Sequence, residues 1–138
     1  AEKYAFEAGR LMLRRMDQLM ENGVEFAIET TLSSKTYLSR IRKAKKLGYN
    51  VYLFFFWLDR VELAIRRVKK RVKMGGHSIP LETIRRRYTR GVVNFFEIYK
   101  NEVDYWVILN NAQKEAFLVI EGEGHNTNKV YREDEWKK

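Results

Sequence analysis

With 138 residues, no cysteine and a formal net charge of +9, the chain reads as one globular domain, 1–138. The missing thiols exclude a disulfide framework, a cysteine nucleophile and a zinc–thiolate site, and they fit a reducing cytoplasm. The longest apolar run, Val51 to Leu58, falls far short of the roughly 20 residues that span a bilayer, so no membrane partner is expected.

The chain opens on Ala1 rather than Met, and Glu2, Glu7 and Arg10 break up any signal-peptide pattern. It reads as a fragment whose first part lies upstream. Apolar residues recur at helical spacing through Ala5, Ala8, Met12, Met16 and Leu19, and predict a helix over residues 4–22 that stops at Asn22-Gly23. Val24 to Ile28 is a short apolar run suited to a strand covered on both faces, ending in Glu29-Thr30-Thr31-Leu32-Ser33-Ser34. Ser33 or Ser34 is expected to cap a second helix that runs to Leu47 and ends at Gly48. The run from Val51 to Leu58 then predicts a central parallel strand buried on both sides.

Asp59 followed by Glu62 resembles a capping box at the start of a third helix, which Gly75-Gly76 closes. Pro80 opens a fourth helix, whose stripe of Ile84, Tyr88, Val92, Phe95 and Tyr99 extends to about Glu102. Trp106 to Leu109 is a further buried strand. Phe117 to Ile120 and Lys129 to Tyr131 are shorter strands, and Glu133 onward is a terminal helical turn. The order predicts an α/β domain with a mostly parallel sheet and flanking helices.

The charge is not spread evenly. Between Arg60 and Arg90 stand eleven Lys or Arg against Glu62 and Glu82, a net of +9, which equals the net charge of the whole chain. The rest of the chain is neutral. At physiological salt exposed charges act over only about 8 Å, so clustering decides what such charge can bind. The hairpin over about 59–91 reads as a helical lid that closes on an anion. Arg67 and Arg71 lie one turn apart, and Arg85, Arg86, Arg87 and Arg90 form the matching row beyond the elbow.

Ligands of open parallel sheets sit beyond the C-terminal strand ends. There the candidates are Glu29, Thr30 and Thr31, then Asp59, then Asn110 and Asn111. His77 sits in the elbow, where its ring could follow the lid onto a phosphate or simply face water. His125 has no partner at metal-ligand spacing, and no metal site is assigned.

Phe26-Ala27-Ile28-Glu29-Thr30-Thr31-Leu32-Ser33, Arg67-Val68 with Arg71-Val72, Gly75-Gly76-His77-Ser78-Ile79-Pro80, and Ile84-Arg85-Arg86-Arg87-Tyr88 with Asn94 together resemble the zeta-toxin-like family of P-loop kinases. The closer likeness is to its bacterial predicted-ATPase branch, and it covers nearly the whole chain. The resemblance implies an adenylate-kinase-like α/β fold and ATP with Mg²⁺ as cofactors. It also implies transfer of the γ-phosphoryl group to the hydroxyl of a small substrate in the cytoplasm. It assigns Glu29, Thr30 and Thr31 to the acceptor side and Arg67, Arg71, Arg86 and Arg87 to the phosphates. His77 and Asn110 fall on the nucleotide side. An antitoxin is a further implied partner.

Two departures matter. Ser33 stands where the best-known toxins, which phosphorylate UDP-N-acetylglucosamine, carry Arg. And no Gly-x-x-x-x-Gly-Lys-[Ser/Thr] occurs in the 138 residues. The family carries that loop, its first strand and a catalytic Asp before the point that corresponds to Ala1. The chain is therefore expected to hold the substrate shelf and lid, to be inactive alone, and to self-associate through an exposed sheet edge. Two readings from other classes stay open: a non-catalytic module that binds nucleic acid or another polyanion, and a degenerate member acting as a partner protein.

Overall fold

The computed structural model describes residues 2–112, 115–124 and 126–131; His125 and the turn expected from Glu133 onward lie outside them. Helix α1 (Glu2–Glu21) and helix α2 (Leu38–Lys46) precede strand β1 (Tyr52–Trp57). Helices α3 (Val61–Lys73) and α4 (Leu81–Asn94) follow. A π-helical turn (Phe95–Tyr99) and a last helical turn, α5 (Lys100–Glu102), continue α4 without a break. Strands β2 (Tyr105–Asn110), β3 (Phe117–Glu123) and β4 (Asn126–Val130) complete the sheet.

The fold is α/β, but the sheet is mixed rather than mostly parallel. Its order is β1-β2-β3-β4; β1 runs parallel to β2, while β3 and β4 are antiparallel to their neighbours. Connection length explains this. A parallel return needs a dozen or more residues, which the stretch 58–104 supplies between β1 and β2. The short link over 111–116 can only reverse the chain.

Val24–Ile28 is not a strand. The segment runs beside α1 without a ladder, Val24 and Ala27 are exposed, and Phe26 rests edge-on against Tyr49 at 6.2 Å. The Tyr49 hydroxyl lies 3.0 Å from the Val24 carbonyl oxygen. Periodicity shows that a segment is apolar, whereas a ladder also needs a neighbouring edge. β1 departs from expectation for the same reason: it is an edge strand buried on one face only. Leu53, Phe55 and Trp57 pack inward, while Tyr52, Phe54 and Phe56 are each more than half exposed.

Neither predicted cap forms. α3 starts after Arg60 with no side-chain cap, and α2 starts at Leu38, with Ser34 closing a preceding turn onto Thr36 instead. Gly23, Gly48 and Gly75 do end their helices with positive φ.

The core lies between the inward sheet face and the π-helical turn. Phe95 and Tyr99 have no exposure; the Phe95 ring stacks on Phe55 at 4.5 Å and meets Trp106 edge-on at 6.0 Å. Beyond this core, Asp104 accepts the Val51 N–H at 2.7 Å, and Arg42 forks onto Glu102 at 2.8 and 3.2 Å. The exposed Arg42–Glu102 pair contributes little compared with aromatic burial. Phe95→Ala should lower stability by about 3–5 kcal/mol in urea unfolding, because the sheet cannot collapse into the space left.

Candidate functional site

The α3–α4 hairpin follows directly on the C-terminal end of β1 and is pinned there twice. The Tyr88 hydroxyl, on α4, donates to the Leu58 carbonyl at 2.5 Å. The Arg67 guanidinium, on α3, donates to the Asn111 carbonyl just past the end of β2. Asn111 in turn gives its N–H to Trp57 at 2.8 Å. One backbone unit thus ties both parallel strands to the lid, and Arg67 lies over their ends.

Glycine is required in the elbow. The Gly76 N–H donates to the Arg71 carbonyl at 2.7 Å, and a Cβ at Gly76 would stand 2.8 Å from that oxygen. α3 and α4 flank an open groove of about 360 Å³, lined by Ile65, Val68, Val72, Ile79, Leu81 and Ile84, with Lys69 and Lys73 beside it. Arg67 and Arg71 are not among its lining residues, so the apolar stripe that joins the helices is separate from the arginine stripe.

Arg71, Arg85, Arg86, Arg87 and Arg90 are exposed. Among the described residues, none of these five, nor Arg67, has a carboxylate within 4.0 Å; the ion pairs formed belong to Arg40, Arg42, Lys43, Lys45 and Arg60. Four cations of α2 thus find carboxylates, whereas among the described residues the arginines of α3 and α4 find none. Clustered guanidinium groups without a carboxylate suit a polyphosphate, which they can grip by paired hydrogen bonds. For Mg²⁺ these residues do not suffice, since no group of three or more His, Cys, Asp or Glu comes together among the described residues.

On the shelf, Glu29, Thr30 and Thr31 are exposed. The Thr31 and Ser33 hydroxyls are 2.8 Å apart, and the Leu32 N–H donates to Thr30 Oγ1 at 3.2 Å. The shelf lies against α4, the helix that carries the second arginine row. The Thr31 carbonyl packs where a Cβ on Gly91 would be only 2.5 Å away, and Asn94 Nδ2 donates to the Leu32 carbonyl at 2.7 Å. The Tyr99 hydroxyl reaches the Ser34 carbonyl at 2.5 Å.

His77 is exposed in the elbow. Asn110 is almost fully buried and its Oδ1 accepts the Ala112 N–H at 2.9 Å, so it shapes the turn after β2. Sequence reasoning gave no role to Gly91, Asn94 or the Tyr88 hydroxyl. A glycine inside a helical pattern was the available signal, since it costs about 1 kcal/mol against alanine unless something approaches closely.

The Zeta toxin family model matches residues 2–132. The chain therefore belongs to the zeta toxin family, a P-loop kinase-like family of nucleotide-binding proteins. An uncharacterized protein of Haemophilus influenzae is 34% identical over 82 residues, which are 59% of this chain and 59% of that protein. The chain thus aligns with under two thirds of that relative's length. No solved structure matches. No helix among the described residues is long and apolar enough to cross a membrane.

Burial, followed by Asp59 and Glu62, raises the Tyr88 phenol above its ordinary pKa of 10.0. A raised pKa means that folding favours the protonated form. That contribution is complete below pH 10 and is lost as pH climbs through the raised value. Tyr88→Phe should lower stability by about 1 kcal/mol at neutral pH, through loss of the Leu58 hydrogen bond. Its urea midpoint should then fall less steeply than the wild type's above pH 10; equal slopes would show that Tyr88 does not titrate with unfolding.

Proposed function

We propose that these residues are the acceptor shelf and nucleotide lid of an ATP-dependent small-molecule kinase that acts in the cytoplasm. The observation that carries this reading is Arg67 held over the ends of the parallel strands, on a hairpin where, among the described residues, Arg71, Arg85, Arg86, Arg87 and Arg90 have no carboxylate within 4.0 Å. In the intact enzyme the acceptor hydroxyl oxygen bonds to the γ-phosphorus as the β–γ bridging bond breaks, and its proton leaves to a base. This chain contributes positioning and charge. Arg71, Arg86 and Arg87 hold the phosphates and Arg67 sets the lid against the strand ends, with His77 following the elbow onto the nucleotide. Glu29, Thr30 and Thr31 receive the acceptor, and Asn110 shapes the turn against which the adenine rests. The Walker loop, which this stretch does not contain, supplies the phosphate cradle and the hydroxyl on Mg²⁺, so the stretch alone turns over no ATP.

Titration with inorganic tripolyphosphate tests the reading. Arg71→Ala, which removes charge-assisted hydrogen bonds, should weaken binding tenfold or more without changing the thermal midpoint. Unchanged affinity would remove Arg71 from the site. A polyanion-binding module would instead bind single-stranded RNA far more tightly than tripolyphosphate, with a log affinity that falls steeply against log salt.

The exposed edge of β1 supports a second proposal, pairing with another copy of this chain. The edge carries no charge or proline to block a new ladder, and Tyr52, Phe54 and Phe56 form an uncharged row. Antiparallel β1–β1 pairing about a two-fold axis would bring that row against its own copy. Light scattering should show a dimer that Phe54→Lys abolishes. A wild-type monomer at high concentration would refute the pairing.

A further inference from the structure

Among the described residues, Leu32 is the only non-glycine residue with a left-handed backbone, at φ 56°. An L side chain there costs about 1–2 kcal/mol, because its Cβ crowds the carbonyl. The conformation persists because both ends of the residue are held. The Leu32 side chain is 5% exposed in the core, and its carbonyl takes the Asn94 amide in a buried hydrogen bond of 2.7 Å.

The direction of the chain through Glu29–Thr31 follows from that turn, and the Thr31 carbonyl is seated against Gly91 one turn earlier on α4. On the far side of Asn94, the π-helical turn lets Tyr99 continue the same line. Five residues in α geometry carry a side chain well round the helix, whereas a π turn, bonded i to i+5, brings such positions near one another. Gly91, Asn94 and Tyr99 therefore meet residues 31, 32 and 34 in order, along one helical face.

We infer that Asn94, aided by Gly91 and Tyr99, is the positioning residue of the shelf. Its amide holds Leu32 in the left-handed turn and makes Glu29–Thr31 move as one body with the lid helix α4. An anion settling on the arginines of α4 is thereby sensed at the shelf. The inference rests on the reading of these two segments as lid and acceptor site. It adds a mechanical link between them, through a side chain that touches neither ligand.

Backbone amide NMR on the 138-residue chain tests it, with inorganic tripolyphosphate as the probe. In the wild type, order parameters at residues 30–34 should match those of α4, near 0.85. The probe should shift the resonances of 85–90 and of 30–33 with a single midpoint. In Asn94→Ala, order parameters at 30–33 should fall below about 0.6 and those residues should stop responding, while α4 keeps its order and its midpoint. Tyr99→Phe, which keeps the core ring and removes the hydroxyl that reaches Ser34 and the Tyr37 backbone, should loosen 33–34 in the same way and serves should Asn94→Ala not fold.

The inference is overturned if residues 30–33 stay rigid in Asn94→Ala, or if α4 loosens equally. A wild-type probe response confined to 85–90 would overturn it as well. If the probe shifts neither segment of the wild type, the lid reading falls instead, and the order parameters still decide the positioning role.

Discussion

The buried hydrogen bond from the Asn94 amide to the Leu32 carbonyl links the two halves of this fold. Residues 24–34 have no strand neighbour of their own, so nothing in the sheet dictates their course. Their course is set by the helix they touch. An amide and a carbonyl both taken from water must satisfy one another, and leaving either unpaired costs about 1–3 kcal/mol. That constraint outweighs the strain of a left-handed leucine, and the same helix is the second arm of the arginine-rich hairpin.

Charge is divided along the same line. Asp17, Glu102 and Asp104 pair with Arg40, Arg42, Lys43 and Lys45 of α2, whereas among the described residues the arginines of α3 and α4 form no ion pair. Assembling so many like charges on one hairpin is unfavourable in the empty protein. Apolar packing between Ile65, Val68, Val72 and Ile84, together with the Tyr88 and Arg67 tethers, holds the hairpin in place. A bound polyanion would relieve that repulsion across the whole hairpin rather than at a single arginine.

The sheet is asymmetric in what it protects. Its inward face is sealed by Phe95, Tyr99 and Trp106, while the outward face of β1 shows three aromatic rings to water. The π-helical turn belongs to this arrangement. It lies where Asn94 must hold Leu32 and Tyr99, five residues on, must reach Ser34, two positions that a regular α-helix would turn well away from one another.

The helical hairpin, its glycine elbow, the segregated charge and the family were all legible in the sequence, because each depends on neighbours a few residues apart. Helical period, the left-handed tolerance of Gly75 and the run of arginines need no partner to be recognised. The mixed sheet, the edge position of β1 and the unpaired course of Val24–Ile28 were not legible, since a ladder requires a second edge that no local pattern names. Asn94 could be read from the sequence only as a polar residue in a helix. Tertiary structure gave it a partner 62 residues away, because only the folded chain brings a buried amide to a carbonyl that has no other donor.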